Sequence, residues 1–283
     1  MKLSLIIPNF NNAKYLKKCI KSVIKQTRVP NEIIIIDAGS DDGSLEIIKK
    51  YAQKYPFIKT ILKNKKDGVA LDRHEAILKA NGDYITTLDG DDYYYSRKKI
   101  ESEMKLIENN DGKIIYPYSN IILVNKNGKK IKKNYNEFNY IEGNCLEPII
   151  SRKKPIPRDF IFKKKIYLDI GGYDHNLKLY EDWDLKIRLS PYGEYKYTNI
   201  DGVAYRQHDT GLSSRKQIVH IYYKLKVFRK NIYLVKPRLR IKIFFYLLFD
   251  VIKTNFFATL NFSNKKKLIY KFYCFLFLYI YVK

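Results

Sequence analysis

The 283-residue chain has little of what several structural classes require. Its three cysteines are odd in number, far apart and without a Cys-x-x-Cys pair, which argues against a disulfide framework or a zinc site and favours a reducing compartment. Thirteen glycines and nine prolines are too few for a collagen-like or linker-like chain. No apolar run reaches the ~20 residues of a membrane-spanning helix. A globular protein remains, with 46% hydrophobic residues to form a core.

Acidic residues are also scarce, because 29 aspartates and glutamates stand against 54 lysines and arginines. The formal charge of +25 indicates polyanionic partners, such as nucleic acid, anionic lipid or a phosphorylated substrate. The excess of basic over acidic residues is unevenly distributed, since residues 213–283 contain 16 lysines and arginines but one acidic residue. This asymmetry predicts a catalytic or binding body followed by a basic appendage.

Strand and helix patterns alternate through the first 125 residues. Between amphipathic helices, short apolar runs predict strands at residues 3–8, 33–36, 58–62 and 84–88. This alternation predicts an α/β fold with a doubly wound, mostly parallel sheet, whose ligands bind beyond the carboxyl ends of the strands. The first run is predicted as a buried strand and not as a secretory signal. Further along, residues 114–132 predict a hairpin, and 195–198 and 203–206 predict short strands.

The last residues contain two short apolar segments, 239–252 and 272–282, with lysines and arginines beside them. Because both are too short to cross a membrane, they favour helices that lie in an anionic membrane interface. The tail is therefore predicted to be basic, amphipathic and helical. The alternative is that these segments pack against the body while their lysines remain solvated.

Acidic residues concentrate where the predicted topology places a binding site. Asp37 follows the second predicted strand, residues 89–92 (Asp-Gly-Asp-Asp) follow the fourth, and Glu181 and Asp182 open a later helix. Three carboxylates within four residues repel one another, and a divalent cation with oxygen ligands, Mg²⁺ or Mn²⁺, would compensate them. The alternative for residues 89–92 is a polar turn with helix caps.

Taken together, these segments resemble glycosyltransferase family 2, whose members are nucleotide-sugar-dependent, inverting enzymes of the GT-A fold. The resemblance covers residues 1–215 and rests on the segments Pro8-Asn9-Phe10-Asn11, Ile36 to Gly43, Gly68 to Ile77, Gly82 to Asp92 with its DxD motif, Gly171 to Asp174, Tyr180 to Leu185, Tyr205-Arg206-Gln207-His208, and Leu212-Ser213. It implies a GT-A domain with a nucleotide-sugar-binding half at 1–125 and an acceptor half at 126–215. The basic, aromatic-rich tail at 216–283 lies outside the resemblance.

The resemblance also implies roles for individual residues. Those implied to bind the nucleotide donor are Pro8, Asn9, Phe10, Asp37, Arg73, Asp89 and Asp92. Those implied as metal ligands are Asp91 and His208, and the alternative for His208 is a hydrogen bond donated to the leaving phosphate. Those implied on the acceptor side are Glu181, Asp182 and Trp183, with Asp182 as the general base.

The chemistry of sugar transfer fits these assignments. A sugar diphosphate leaves as an anion, so a metal that bridges its phosphates stabilises the developing charge. The acceptor hydroxyl needs a carboxylate base opposite the leaving group, and a single displacement by Asp182 would invert the anomeric carbon. Trp183 either stacks on an acceptor sugar or belongs to the core, and the sequence leaves both open. Asp184 and Arg188, four residues apart, are predicted as a surface ion pair.

We therefore expect a hexosyl- or N-acetylhexosaminyltransferase that uses a nucleoside-diphosphate sugar. The family favours UDP as the nucleotide, and the expected acceptor is a hydroxyl of a glycan or a lipid-linked molecule. Lipopolysaccharide, capsule or other envelope polysaccharide biosynthesis is the expected setting. The expected location is cytoplasmic, with the tail holding the protein peripherally at the inner face of the plasma membrane.

Two other classes stay open. The charge of +25 and the 26 tyrosines would suit a basic nucleic-acid-binding protein, but neither a zinc finger nor an RNP-like motif accompanies them, so we expect no nucleic-acid partner. A sugar nucleotidyltransferase would also use an α/β sheet with paired carboxylates. Such enzymes usually have a glycine-rich loop after the first strand, whereas residues 8–11 contain no glycine.

Overall fold

The computed structural model describes residues 1–110, 112–132, 140–152, 156–208 and 217–245. Statements about the fold and its contacts refer to these ranges. The predicted apolar segment 272–282, and residues 246–252 of the other apolar segment, lie outside them. No helix among the described residues is both long enough and apolar enough to cross a bilayer.

Strands and helices alternate along the first half of the described chain. The strands are β1 (Leu3–Asn9), β2 (Glu32–Asp37), β3 (Ile58–Leu62), β4 (Tyr84–Thr87), β5 (Tyr93–Tyr94), β6 (Ile115–Val124), β7 (Lys130–Lys132), β8 (Phe162–Lys163) and β9 (Glu194–Arg206). The helices are α1 (Ala13–Ile24), α2 (Ser44–Lys54), α3 (Val69–Lys79), α4 (Lys99–Glu108), α5 (Leu146–Ile150), α6 (Lys164–Asp169), α7 (Glu181–Leu189) and α8 (Gln217–Asn231). Short 3-10 helices cover Ser190–Tyr192 and Ile232–Leu234, and residues 237–245 are again helical.

The larger sheet has the strand order β3-β2-β1-β4-β8, in which β8 at one edge is antiparallel to β4 and the other strands are parallel. Alternate side chains of β1 enter two different cores, because successive strand residues point to opposite faces. Leu3, Leu5 and Ile7 pack with α1, α2 and α4, whereas Ile6 packs with α3 and with helices of the second half. The predicted doubly wound, mostly parallel α/β fold is therefore confirmed.

A second sheet has the order β5-β9-β6-β7. Strand β6 pairs in parallel with β9 and antiparallel with β7, so the predicted hairpin forms. The two short strands predicted at 195–198 and 203–206 are parts of the single strand β9. Asn199 between them has a φ of +54°, and the pairing of β9 with β6 shifts register beside it. This irregularity explains why the strand pattern is interrupted in the sequence.

The described part of the basic tail packs on the body. Val227 and Phe228 of α8, together with Val235 and Ile243, are buried in the same hydrophobic core as α7. Packing against the body, which the sequence left open as an alternative, therefore holds for residues 217–245.

Candidate active site

The loops after β1 and β2 are joined by hydrogen bonds. Asp37, buried at the end of β2, accepts hydrogen bonds from the backbone N–H groups of Gly39 (3.1 Å) and Ser40 (2.8 Å) and from the Ser40 hydroxyl (2.7 Å). Asn9 of β1 donates to the same carboxylate through Nδ2 at 2.7 Å. Asp37 thus shapes the loop in this structure, and its contact with a nucleotide base stays a prediction.

Pro8 and Phe10 lie on either side of Asn9 at the end of β1. The Pro8 carbonyl accepts a hydrogen bond from the Gly90 N–H at 3.2 Å. A side chain at Gly90 would collide with Asn9, because an added Cβ would lie 2.6 Å from Asn9 Oδ1. Phe10 is half-buried, and the Lys66 ammonium lies 3.9 Å from the centre of its ring. This loop therefore touches the DxD segment, residues 89–92, on one side and a lysine on the other.

Three aspartates gather directly after β4. Carboxylate oxygens of Asp89, Asp91 and Asp92 all lie within 4.8 Å of one another. Asp92 is buried with 2% of its surface exposed, whereas Asp89 and Asp91 are partly exposed. A set of carboxylate oxygens of this kind fits a hard divalent cation such as Mg²⁺ or Mn²⁺.

Two arginines pair with this acidic cluster. Arg73 of α3 is buried between two carboxylates, with its Nη2 2.5 Å from Asp89 Oδ1 and its Nη1 2.6 Å from Glu181 Oε1. Arg158 approaches Asp89 Oδ2 to 3.1 Å through Nη1 and binds Asp92 Oδ2 through Nη2. Arg73 therefore connects the DxD segment with helix α7, which carries the predicted acceptor-side residues.

Burial and the arginines act on the aspartate pKa values in opposite directions. Burial works to raise the pKa of Asp89, but the guanidinium groups of Arg158 and Arg73 outweigh it and hold that pKa below its usual range. Burial and the neighbouring Asp91 raise the pKa of Asp92 well above its usual range, even with Arg158 beside it. The cluster is thus short of positive charge, which a divalent cation would add.

His208 lies beside Asp91. Its Nε2 is 2.8 Å from Asp91 Oδ2, and the centre of its ring is 5.6 Å from that of Tyr15. Arg206 fixes the two neighbouring aspartates, since its Nε donates to the Asp91 carbonyl (2.9 Å) and its backbone N–H to Asp92 Oδ1 (2.7 Å). The structure therefore brings the predicted metal pair together, and a carboxylate beside an imidazole is a donor set that fits a divalent cation.

The acceptor-side carboxylates open helix α7. Tyr180 before the helix has a φ of +64°, and Glu181 and Asp182 occupy the first turn, where carboxylates interact favourably with the helix dipole. Asp182 Oδ2 accepts a hydrogen bond from Lys186 Nζ at 2.7 Å. Burial works to raise the pKa of Asp182, but the Lys186 ammonium dominates and lowers that pKa to about 2. The carboxylate is therefore ionised at neutral pH, as a general base must be.

The next residues of α7 face the interior. Trp183 has 5% of its surface exposed, and its indole N–H donates to the Ile149 carbonyl at 2.7 Å. Of the two roles that the sequence left open, this position supports the core role and gives no support to stacking on an acceptor. Asp184 and Arg188 do pair, at 2.7 Å, but the predicted surface location is wrong because Asp184 is fully buried. Asn231 of α8 covers it and donates a hydrogen bond at 2.8 Å.

Comparison with known proteins identifies the family of the chain. The family model described as glycosyl transferase family 2 matches residues 4–179, more than half of the chain. The chain belongs to glycosyl transferase family 2. Among its curated relatives, a cholesterol galactosyltransferase of Borreliella burgdorferi is 32% identical over 191 residues, 60% of this chain and 53% of that protein. An uncharacterized glycosyltransferase of Methanocaldococcus jannaschii is 30% identical over 236 residues, 81% of this chain and 80% of that protein.

Other relatives of this family 2 chain are much longer. Chondroitin synthase of Pasteurella multocida is 29% identical over 202 residues, 70% of this chain but 20% of that protein. The chain thus spans about half the length of the cholesterol galactosyltransferase and about a fifth of the chondroitin synthase. A crystal structure of S. aureus TarS 1-349 in complex with UDP matches with a TM-score of 0.68 at 20% identity, over 94% of this chain and 77% of that chain. That likeness supports the GT-A fold.

Two positively charged side chains of the candidate site, Arg158 and Lys186, are not among the residues predicted from the sequence. Arg158 follows Pro157 in a segment without helix or strand, so no periodic pattern marks it. Lys186 stands four residues after Asp182 on α7, and that spacing is a signal that the sequence does contain.

Proposed function

We propose that this chain catalyses an inverting, metal-dependent transfer of a sugar from a nucleoside-diphosphate sugar, with UDP favoured, to an acceptor hydroxyl. The observation that carries the proposal is the double ion pair of Arg73, which binds Asp89 of the DxD segment and Glu181 beside Asp182. A transferase needs carboxylates on its donor side and on its acceptor side. Here one buried arginine holds both groups at the same site.

On the donor side, Asp91 and His208 would hold the cation, with Asp89 and Asp92 beside them. When bound, a divalent cation supplies a counter-charge for the diphosphate leaving group. The contribution of the chain itself is to fix these side chains in advance, as Arg206 does through its contacts with Asp91 and Asp92. Charges that are already oriented need not rearrange while negative charge develops on the leaving group.

On the acceptor side, Asp182 takes the proton of the attacking hydroxyl. Lys186 keeps this carboxylate ionised, and Lys186 Nζ is itself fixed by a 2.7 Å hydrogen bond to the Ile156 carbonyl. A base that acts opposite the diphosphate allows a single displacement, which inverts the configuration of the anomeric carbon.

The acceptor is proposed to be a glycan or a lipid-linked hydroxyl in lipopolysaccharide, capsule or other envelope polysaccharide biosynthesis. Two relatives support these classes by their names, a cholesterol galactosyltransferase for a lipid and a chondroitin synthase for a glycan. The transferred sugar is proposed to be a hexose or an N-acetylhexosamine. The TarS structure in complex with UDP supports UDP as the nucleotide of the donor.

We also propose that the protein works at the inner, cytoplasmic face of the plasma membrane, held there by its basic C-terminal region. Large hydrophobic side chains there are 48% exposed or more: Ile218, Tyr222, Tyr233, Ile241 and Phe245. Aromatic and aliphatic side chains near lysines and arginines bind an anionic interface. The full chain should sediment with anionic vesicles and not with neutral ones. If the protein stays in the supernatant with anionic as well as with neutral vesicles, the proposed location is refuted.

A donor panel tests the transferase proposal. The full chain is mixed with UDP, GDP, dTDP and CDP, each with Mn²⁺ or with EDTA, and the melting temperature is measured. We expect one nucleotide to stabilise the protein when Mn²⁺ is present, because a ligand at 100 times its Kd contributes about 2.7 kcal/mol. The nucleoside-diphosphate sugar that contains the stabilising nucleotide is then incubated with the protein. We expect slow hydrolysis, measured as released nucleoside diphosphate. The proposal is refuted if no nucleotide shifts the melting temperature and no nucleoside diphosphate is released.

A further inference from the structure

Two of the three aspartates after β4 have both carboxylate oxygens bound by protein groups. Asp89 contacts Arg73 through Oδ1 at 2.5 Å and Arg158 through Oδ2 at 3.1 Å. Asp92 accepts the Arg206 backbone N–H on Oδ1 at 2.7 Å and binds Arg158 through Oδ2. Arg158 therefore lies between Asp89 and Asp92 and spans both carboxylates with one guanidinium group.

Asp91 differs from its two neighbours. Its side chain is 22% exposed, and within the part of the chain that the structure describes its carboxylate contacts no guanidinium group. Its partner there is the His208 imidazole, which also bears nitrogen lone pairs suited to a metal ion. The acidic cluster is thus divided into two carboxylates that are held by arginines and a single carboxylate beside a histidine.

Arg158 is held firmly in the place where it makes this division. Its backbone N–H donates to the Tyr205 hydroxyl at 3.1 Å, and its guanidinium carbon lies 4.5 Å from the centre of the Tyr205 ring. The adjacent Asp159 accepts a hydrogen bond from that hydroxyl, and its carbonyl accepts hydrogen bonds from Lys99 Nζ at 2.7 Å and Thr86 Oγ1 at 3.0 Å. Because Thr86 belongs to β4, Arg158 is anchored to the strand that carries the three aspartates.

We infer that Arg158 is a positioning residue that keeps Asp89 and Asp92 paired with itself, so that, of the site residues that the structure describes, Asp91 and His208 alone face the cation until a diphosphate adds its own oxygens. The inference rests on the metal dependence proposed above. Arg158 thereby gives the site a preference for a divalent ion together with a nucleotide over the ion alone, which a purely acidic cluster would lack. The protein by itself binds a divalent ion weakly, and the ion and the nucleotide are retained together.

The size of the effect follows from the charge of Arg158. Even at the dielectric constant of water, a unit charge about 6 Å from a divalent ion changes its binding about tenfold. Removing that charge also frees two carboxylates that can then bind the ion directly. Loss of Arg158 should therefore strengthen metal binding in the absence of nucleotide, the opposite of what is expected when a metal ligand is lost.

The test is a titration of the full chain with Mn²⁺, in which free Mn²⁺ is measured by electron paramagnetic resonance without and with saturating UDP. The wild type should bind Mn²⁺ at least about tenfold more tightly with UDP than without it. Arg158→Gln should bind Mn²⁺ at least about tenfold more tightly than the wild type when UDP is absent. Arg158→Lys retains the charge and should stay close to the wild type.

Controls separate this role from a structural one. Arg28→Gln removes a similarly exposed arginine, paired with Glu108 at 2.7 Å outside the cluster, and should leave Mn²⁺ binding unchanged. Arg158→Met replaces the guanidinium group by an unbranched apolar side chain and provides the same measurement if the glutamine variant does not fold.

Two results would overturn the inference, and they are distinguishable. If Arg158→Gln and Arg158→Met bind Mn²⁺ no more tightly than the wild type without UDP, the role of Arg158 is refuted while metal-dependent transfer stands. If neither the wild type nor a variant binds Mn²⁺ even with UDP, the proposed metal dependence fails and the inference fails with it.

Discussion

Replacing Asp182 with asparagine tests the proposed general base while the shape of the side chain is kept. The amide oxygen can still accept the hydrogen bond from Lys186, and Lys186 Nζ also donates to the Ile156 carbonyl at 2.7 Å. The lysine is therefore not left buried without a partner, and we expect the variant to fold. Turnover should fall ~10²–10⁴-fold, which is about 3–5 kcal/mol in the activation barrier, because an amide cannot take the proton.

The assay measures release of nucleoside diphosphate at saturating donor and acceptor, together with the affinity for the nucleotide. Nucleotide affinity should change by less than about twofold, since the proposed role of Asp182 concerns the acceptor and not the donor. Asp169→Asn is a matched control, because Asp169 also pairs with a lysine four residues away, Lys165 at 3.0 Å, on an exposed surface. Unchanged turnover in Asp182→Asn, or a loss of nucleotide affinity as large as the loss of turnover, would refute the assignment.

The dependence on pH tests the same base in a second way. Since the pKa of Asp182 is lowered to about 2, protonation of this group should not reduce kcat/KM at pH values down to about 4. Lys186→Met removes the group that does most to lower this pKa, so the pKa of Asp182 rises, because burial still raises it and only Arg158 and Arg73 still lower it. The acid limb of the profile should therefore move toward neutral pH. An identical profile in the variant would show that Asp182 is not the titrating base.

Three further changes test other parts of the site. Asp91→Ala should abolish Mn²⁺-dependent transfer and leave the circular dichroism spectrum unchanged, and retained full activity would contradict the DxD assignment. Gly90→Ala should lower the free energy of unfolding by about 1–3 kcal/mol, because the added Cβ meets Asn9 Oδ1 at 2.6 Å; an unchanged urea midpoint would contradict this contact. Asn231→Ala should destabilise the protein by about 1–3 kcal/mol in urea unfolding, since buried Asp184 loses a donor. Stability equal to the wild type would show that the contact of Asn231 with Asp184 does not stabilise the protein.

The donor side of the site could be predicted because it follows from strand direction. Asp37 is the last residue of β2 and residues 89–92 follow β4, and both strands run parallel to β1 in one sheet, so local patterns place their ends at one edge. The position of Glu181 and Asp182 is different. No local sequence pattern indicates where α7 packs. Only the order of the segments in the family predicted that Glu181 and Asp182 belong to the same site as the DxD segment.

The sequence could not predict contacts that depend on distant elements. Arg158 has no periodic signal, and its importance appears only where its irregular segment crosses the end of β4. Asp184 and Arg188 have the spacing of a surface pair, and that spacing is the same whether water or another helix lies over them. In this fold Asn231 of α8 covers Asp184, which is fully buried, whereas Arg188 is half-buried. Burial by a remote helix is a tertiary property that no short pattern contains.

The contact between α7 and α8 has a consequence for how acceptor preference can be exchanged among relatives. Asn231 and Lys230 of α8 reach back to Asp184, two residues after the proposed base, while the match to the family model ends at residue 179. A chimera joined at residue 215 would combine α7 of one protein with α8 of another and would put the buried polar contact between Asp184 and Asn231 at risk. Grafts that move α7 and α8 as one block, with the downstream junction no earlier than residue 245, should keep the inherited geometry intact.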